Sequence, residues 1–211
     1  FFFYIIPNKN INNICKNLQQ CFPEVSFLEK KRLEVLTIFS LGKKMVDSCA
    51  VWVQPREIAR FWIVEENGRA ILTESIKNRP TLILLPHIGN WELFRVWLSD
   101  ISSATILYRP LRVDALSEAI KRAREVGGHK LVSTTTSGLR ILFRDFRCGR
   151  TVIILPDQNP SPESGVVVPF FNLPALTSPL AWRLLKIQDA NVVVAACVPV
   201  AKGYKVDIRP I

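Results

Sequence analysis

The residues in this chain best placed to do chemistry are a histidine and a carboxylate in Thr81-Leu-Ile-Leu-Leu-Pro-His87-Ile-Gly-Asn-Trp-Glu92, where an apolar run stops at one of the two histidines of the sequence. An imidazole held by a carboxylate is a general base: the carboxylate fixes one ring nitrogen and leaves the other free to take a proton. On a continuous helix, five positions would rotate Glu92 roughly 140° away from His87, so the pair converges only if the backbone turns between them. Gly89 permits a strained or closely approaching backbone, and Asn90 is a natural N-cap for a helix over Trp91 to Leu98. Glu92 then falls in the first helical turn, where the helix dipole favours its ionised form. A histidine at a strand end is, on its own, ordinarily a turn residue, so the wider pattern has to carry the assignment.

That pattern is supplied by the elements around it. From Asn8 to Asn78 apolar residues such as Leu33, Leu36, Phe39 and Leu41 recur at helical spacing, which predicts three or four helices, with Pro55 in the first turn of one and a break at Gly68. From Pro80 onward short apolar strands alternate with helices. Strands are expected at Thr81 to Leu85, Ala104 to Tyr108, Lys130 to Ser133, Thr151 to Leu155, Val166 to Phe170 and Val192 to Val198. Helices are expected at Trp91 to Leu98, Val113 to Val126, Ser137 to Cys148 and Ser178 to Gln188. The fold class is therefore α/β, with N-terminal helices followed by a mostly parallel sheet flanked by helices. Ligands of such sheets gather beyond the carboxyl ends of the strands, and His87, Arg109 and the Asp157-Gln158 pair all follow strand ends. Arg109 is suited to holding a phosphate or developing negative charge, Gln158 to orienting a substrate through its amide, and Asp157 either to the site or to a turn.

The block His87-Ile-Gly-Asn-Trp-Glu92 after an apolar strand resembles the signature of the bacterial lipid A biosynthesis acyltransferases, the lauroyl and myristoyl transferases of the lysophospholipid acyltransferase-like superfamily. Asn17-Leu18 with Cys21-Phe22-Pro23-Glu24, Tyr108-Arg109-Pro110, Leu155-Pro156-Asp157-Gln158 and Gly165-Val-Val-Val-Pro169-Phe170-Phe171 resemble further blocks of that family, so the resemblance covers nearly all 211 residues. It departs at Asn172, where the family has glycine; asparagine also tolerates a left-handed backbone, so the turn is expected to survive. The resemblance implies a glycerolipid acyltransferase-like fold in a single acyltransferase domain over 1–211, shortened at both ends, with a helical part at 8–78 and an α/β catalytic part at 80–211. It implies His87 and Glu92 as catalytic residues and Arg109, Asp157, Gln158 and Asn90 as substrate-binding, oxyanion or phosphate residues.

The reaction implied is transfer of a fatty acyl chain from acyl carrier protein to a hydroxyl of a Kdo-bearing lipid A precursor, with no cofactor and no metal. The alternatives are acylation of another glycolipid, such as a phosphatidylinositol mannoside, and a non-catalytic protein that binds anionic lipid. The implied location is the cytoplasmic face of the bacterial inner membrane, with most of an N-terminal anchor missing upstream of Phe1-Phe-Phe-Tyr-Ile-Ile6. Six apolar residues fall far short of the about 20 that a membrane span takes.

Composition agrees with these expectations without selecting among them. At 48% hydrophobic and 22% charged residues the chain can bury a large core. A formal charge of +10 calls for an anionic partner, which an acidic carrier protein, a phosphorylated lipid and an anionic membrane surface would all satisfy. No nucleic-acid motif is present. Cys15, Cys21, Cys49, Cys148 and Cys197 are odd in number and lack close metal-ligand spacing, so reduced thiols are expected. Arg140, Arg144 and Arg147 share a helix face that could meet lipid phosphates but is ordinarily just solvated. Trp52, Phe61 and Trp62 read as core residues, and His129, after Gly127-Gly128, reads as a loop residue. Ser161 and Ser164 lack the nucleophile-elbow pattern of esterases.

Overall fold

The computed structural model describes residues 9–54, 56–109 and 114–211. Pro55, Pro110, Val113 and the apolar N-terminal run lie outside the described residues. In chain order the elements are α1 (Lys9–Cys21), α2 (Phe27–Val53), α3 (Arg56–Arg60), β1 (Ile63–Asn67), α4 (Arg69–Asn78), β2 (Thr81–Leu84), α5 (Trp91–Leu98), β3 (Ala104–Tyr108), α6 (Asp114–Glu125), β4 (Lys130–Ser133) and α7 (Thr136–Arg147). They continue as β5 (Thr151–Ile154), β6 (Val166–Phe170), β7 (Leu173–Thr177), α8 (Leu180–Ile187), β8 (Asn191–Val200) and β9 (Gly203–Pro210). The chain forms two compact units, one of residues up to 47 with 168–175, the other of 48–167 with 176–211. Among the described residues no helix is long and apolar enough to cross a membrane.

The larger unit is α/β as expected, built on a seven-stranded sheet in the order β1-β9-β8-β2-β5-β3-β4. All neighbours are parallel except the β8–β9 hairpin. The continuous apolar character of β2 and β5 follows from burial on both faces, since alternate side chains serve opposite layers. Ile83 and Ile153 join Phe94 and Trp97 of α5 and Leu72 of α4 in one core layer. Leu82, Val152 and Ile154 join Leu142 and Phe146 of α7 and Leu184 of α8 in the other.

Three expectations are corrected. The stretch expected to hold three or four helices also contains β1, an edge strand whose side chains after Ile63 are all exposed; it shows no apolar alternation, and pairing with the distant β9 makes it a strand. Val166 to Phe170 is a strand, but it leaves the main sheet and pairs with β7 in a separate hairpin, because a two-residue turn lets it pair locally. Phe171 and Asn172 form that turn with φ of 48° and 62°, so asparagine does take the left-handed backbone expected of it. Phe61 is 82% exposed rather than in the core, whereas Trp62 packs against the α5 side of the sheet.

Candidate active site

Strands β2 and β5 are parallel neighbours in the register Leu84↔Ile154, extended by a hydrogen bond from the Leu85 N–H to the Ile154 carbonyl at 3.0 Å. His87 and Asp157 each stand three residues beyond that pair, so parallel pairing carries both to one place at the carboxyl ends of the strands. There Asp157 grips His87 twice. The His87 backbone N–H donates to Asp157 Oδ2 at 2.8 Å, and the ring Nδ1 meets Oδ1 at 2.8 Å. A carboxylate accepts, so Nδ1 carries the hydrogen and Nε2 presents its lone pair. Gln158 Nε2 lies 3.4 Å from that nitrogen, a weak contact that an incoming hydroxyl could replace. Desolvation pushes the Asp157 carboxyl up, but the His87 N–H and ring outweigh it and hold the group below its ordinary value. The His87 side chain is 35% exposed, open enough to meet a substrate.

The turn after His87 is built on close backbone approach. Gly89 has φ of 69° and bridges to Cys197 of β8; a Cβ there would stand 1.9 Å from the Cys197 carbonyl oxygen. The next N–H, of Asn90, donates to the same oxygen at 2.7 Å. Asn90 is fully buried and caps α5, its Oδ1 accepting from the Glu92 and Leu93 N–H groups at 3.1 and 3.2 Å. Its Nδ2 has no hydrogen-bond partner among the described residues. Asn90, expected among the substrate-binding residues, is thus placed within the turn and out of contact with solvent.

Glu92, expected to reach back to His87, instead points into the protein. It is 1% exposed, and its Oε1 accepts from Nε and Nη2 of Arg124 at 2.8 and 2.5 Å. Its Oε2 faces Arg95 Nε at 3.6 Å, an ion pair too long for a hydrogen bond. Arg95 shares Glu92's helix face at i+3 and donates from Nη1 to the carbonyls of Arg124 and Val126, satisfying groups at the end of α6. The Arg124 guanidinium lies over the rings of Trp91 and Trp52, with 4.6 and 5.6 Å to their centroids. Glu92 thus ties α5 to α6, because the helix that Asn90 starts carries it away from the strand end.

His129 is a loop residue as expected, and a buried one that belongs to the same network. Its Nδ1 accepts from the Ala104 N–H at 3.2 Å, so Nε2 carries the hydrogen and donates to the Arg95 carbonyl at 2.9 Å. Desolvation pulls its pKa down to about 4. Arg109 stands exposed directly after β3, at the same sheet end as His87, and no hydrogen bond or ion pair joins it to His87 or Asp157 among the described residues. All five cysteines are free. The pairing of Arg124 with Glu92 carried no signal in the sequence, the two lying 32 residues apart; that of Arg95, at helical spacing from Glu92, did.

The family model described as bacterial lipid A biosynthesis acyltransferase matches residues 3–211. The chain is 26% identical over 199 residues to the lipid A biosynthesis lauroyltransferase of Escherichia coli (strain K12), which covers 92% of this chain and 64% of that protein. It is 23% identical over 198 residues both to the palmitoleoyltransferase of the same organism and to the lipid A biosynthesis acyltransferase of Shigella flexneri, with the same coverage. The chain therefore spans 64% of the length of these curated relatives.

Proposed function

Because this chain belongs to the bacterial lipid A biosynthesis acyltransferase family, we propose that the protein transfers a fatty acyl chain from acyl carrier protein to a hydroxyl of a Kdo-bearing lipid A precursor at the cytoplasmic face of the inner membrane. The observation that carries this reading is the double grip of Asp157 on His87 at the shared end of β2 and β5. That grip supports a base whose Nε2 is aimed outward while Nδ1 is held.

In the proposed reaction His87 Nε2 takes the proton of the acceptor hydroxyl as the oxygen bonds to the thioester carbonyl carbon. Asp157 stabilises the imidazolium that forms. The tetrahedral intermediate collapses, the carbon–sulfur bond breaks, and the imidazolium returns its proton to the departing thiolate. The products are an ester and a free thiol, and the balance calls for no cofactor. Arg109 supplies positive charge at the same sheet end for a phosphate or the oxyanion. Gln158 exchanges its weak contact with Nε2 for one to the incoming hydroxyl. Asn90 and Glu92 hold the turn and the helix behind His87, acting on the base through its support.

The test is transfer of a radiolabelled acyl group from acyl carrier protein to purified Kdo-bearing precursor by the whole protein, with a His87→Ala variant in parallel. Transfer that the variant loses is the expected result. Folded wild-type protein that transfers no chain length to this acceptor overturns the reading and directs attention to other glycolipid hydroxyls.

A further inference from the structure

Helix α7 carries an outer face that the chemistry above does not use. Leu139 and Phe143 form the floor of a groove of about 400 Å³, and Thr136, Arg140, Arg144 and Arg147 form its rim. These positions recur at three- and four-residue spacing, so they lie on one side of the helix. The opposite side, with Leu142 and Phe146, is spent on the core.

Charge on this face is one-sided. The helix has a single acidic residue, Asp145, which is 4% exposed and accepts hydrogen bonds from Thr105, Lys130 and Arg144. Arg140 and Arg147 are exposed and pair with no carboxylate among the described residues. Elsewhere the arginines at 32, 56, 60, 69, 79, 122 and 209 all lie in ion pairs. The neighbouring helix α8, which packs against α7, likewise carries basic residues, Arg183 and Lys186, and no acidic one.

The groove also has a definite direction. Thr136 starts α7 at the carboxyl end of β4, and β4 is separated from β5 by β3 alone, so the groove opens about 10 Å along the sheet from the strand that carries Asp157. A recessed apolar floor with a guanidinium rim suits a ridge that is apolar along its crest and acidic along its flanks. An amphipathic acidic helix has that shape; a bilayer, being flat, is better met by protruding apolar side chains.

We infer that the α7 face is the docking surface for an acidic helix of the acyl-donor protein, seated with Leu139 and Phe143 against its apolar crest and with Arg140, Arg144 and Arg147 against its carboxylates. This rests on the reading that the donor is an acidic carrier protein. Docking there delivers the thioester to the end of the sheet where His87 stands, and it divides donor recognition from catalysis.

The experiment compares the whole wild-type protein with an Arg140→Glu/Arg147→Glu double variant and an Arg140→Lys/Arg147→Lys control, after thermal melts establish that all three are folded. Binding of fluorescently labelled acyl carrier protein is measured by anisotropy, and transfer is measured from acyl carrier protein and from acyl-pantetheine, which lacks the protein carrier. The expected result is carrier binding weakened about 10-fold or more in the glutamate variant and kept in the lysine control, with the KM for acyl carrier protein raised and transfer from acyl-pantetheine unchanged.

An unchanged carrier affinity in the glutamate variant overturns the inference, as does a wild type that does not bind the carrier. If that variant instead loses only its binding to vesicles of phosphatidylethanolamine and phosphatidylglycerol, the face belongs to the membrane and the inference is likewise overturned. Carrier binding that depends on these arginines in a protein that acylates no lipid A precursor leaves the docking surface standing and removes the functional reading instead.

Discussion

Asp157 and Glu92 are two carboxylates with opposite environments. Asp157 is 70 residues from His87 in sequence and 2.8 Å from it in space, and its side chain is 40% exposed. Glu92 is five residues from His87 and is buried against Arg124 and Arg95. The difference shows how little sequence distance says about which groups meet. Parallel strands in register bring equal offsets together however long the crossover, whereas a helix started at Asn90 turns its first side chains away from the strand it follows. It also separates two settings for a carboxylate: one exposed at the strand ends, the other buried where it holds two helices together.

The sharpest test of that separation is to remove the base proposed above. His87→Ala is expected to lower acyl transfer by about 10²–10⁴-fold while leaving the unfolding midpoint close to that of the wild type, as measured by transfer rate and a thermal melt together. Glu92→Gln should do the reverse, costing about 3–5 kcal/mol of stability because Arg124 and Arg95 lose their buried counter-charge, with the rate per folded molecule largely kept. A Glu92→Gln protein as stable as the wild type but as inactive as the His87 variant would erase the distinction and return Glu92 to the base itself.

The buried side of the comparison also predicts a dependence on pH. The folded-state pKa of His129 lies at about 4, below its ordinary 6.5, so the unfolded chain binds this proton first. Its contribution to stability is whole above pH 6.5 and falls away as the pH drops towards 4, by about 3 kcal/mol in all. Denaturant unfolding across this range should show the loss, and His129→Gln should make the slope shallower by about one proton. On the exposed side, Asp157→Asn keeps the shape of the contact and removes its charge. It is expected to slow transfer by on the order of 100-fold with little change in the melt. The sign is the usual one for a carboxylate held low. Any stability from the Asp157–His87 contact is present above the ordinary aspartate value and is lost as the pH falls through the depressed one.

The sequence by itself determined a good deal of this protein. The apolar runs at β2, β3, β4 and β5 marked strands, the intervening periodicity marked α5 to α8, and Gly89-Asn90 marked the turn and cap behind His87, because each of these signals is local: burial pattern, helix period and turn chemistry all act within a few residues. It also brought His87, Arg109, Asp157 and Gln158 to strand ends, where sites of such sheets form. Tertiary structure alone decided the pairings. Strand β1 exists because β9 offers it an edge, β6 leaves the main sheet because β7 folds back on it, and Glu92 finds Arg124 because α6 ends beside α5. His87 takes Asp157 as its carboxylate because strand order and register, set by packing across the whole sheet, place β5 beside β2. No window of a dozen residues contains that information, since the contacts that fix it span the length of the unit.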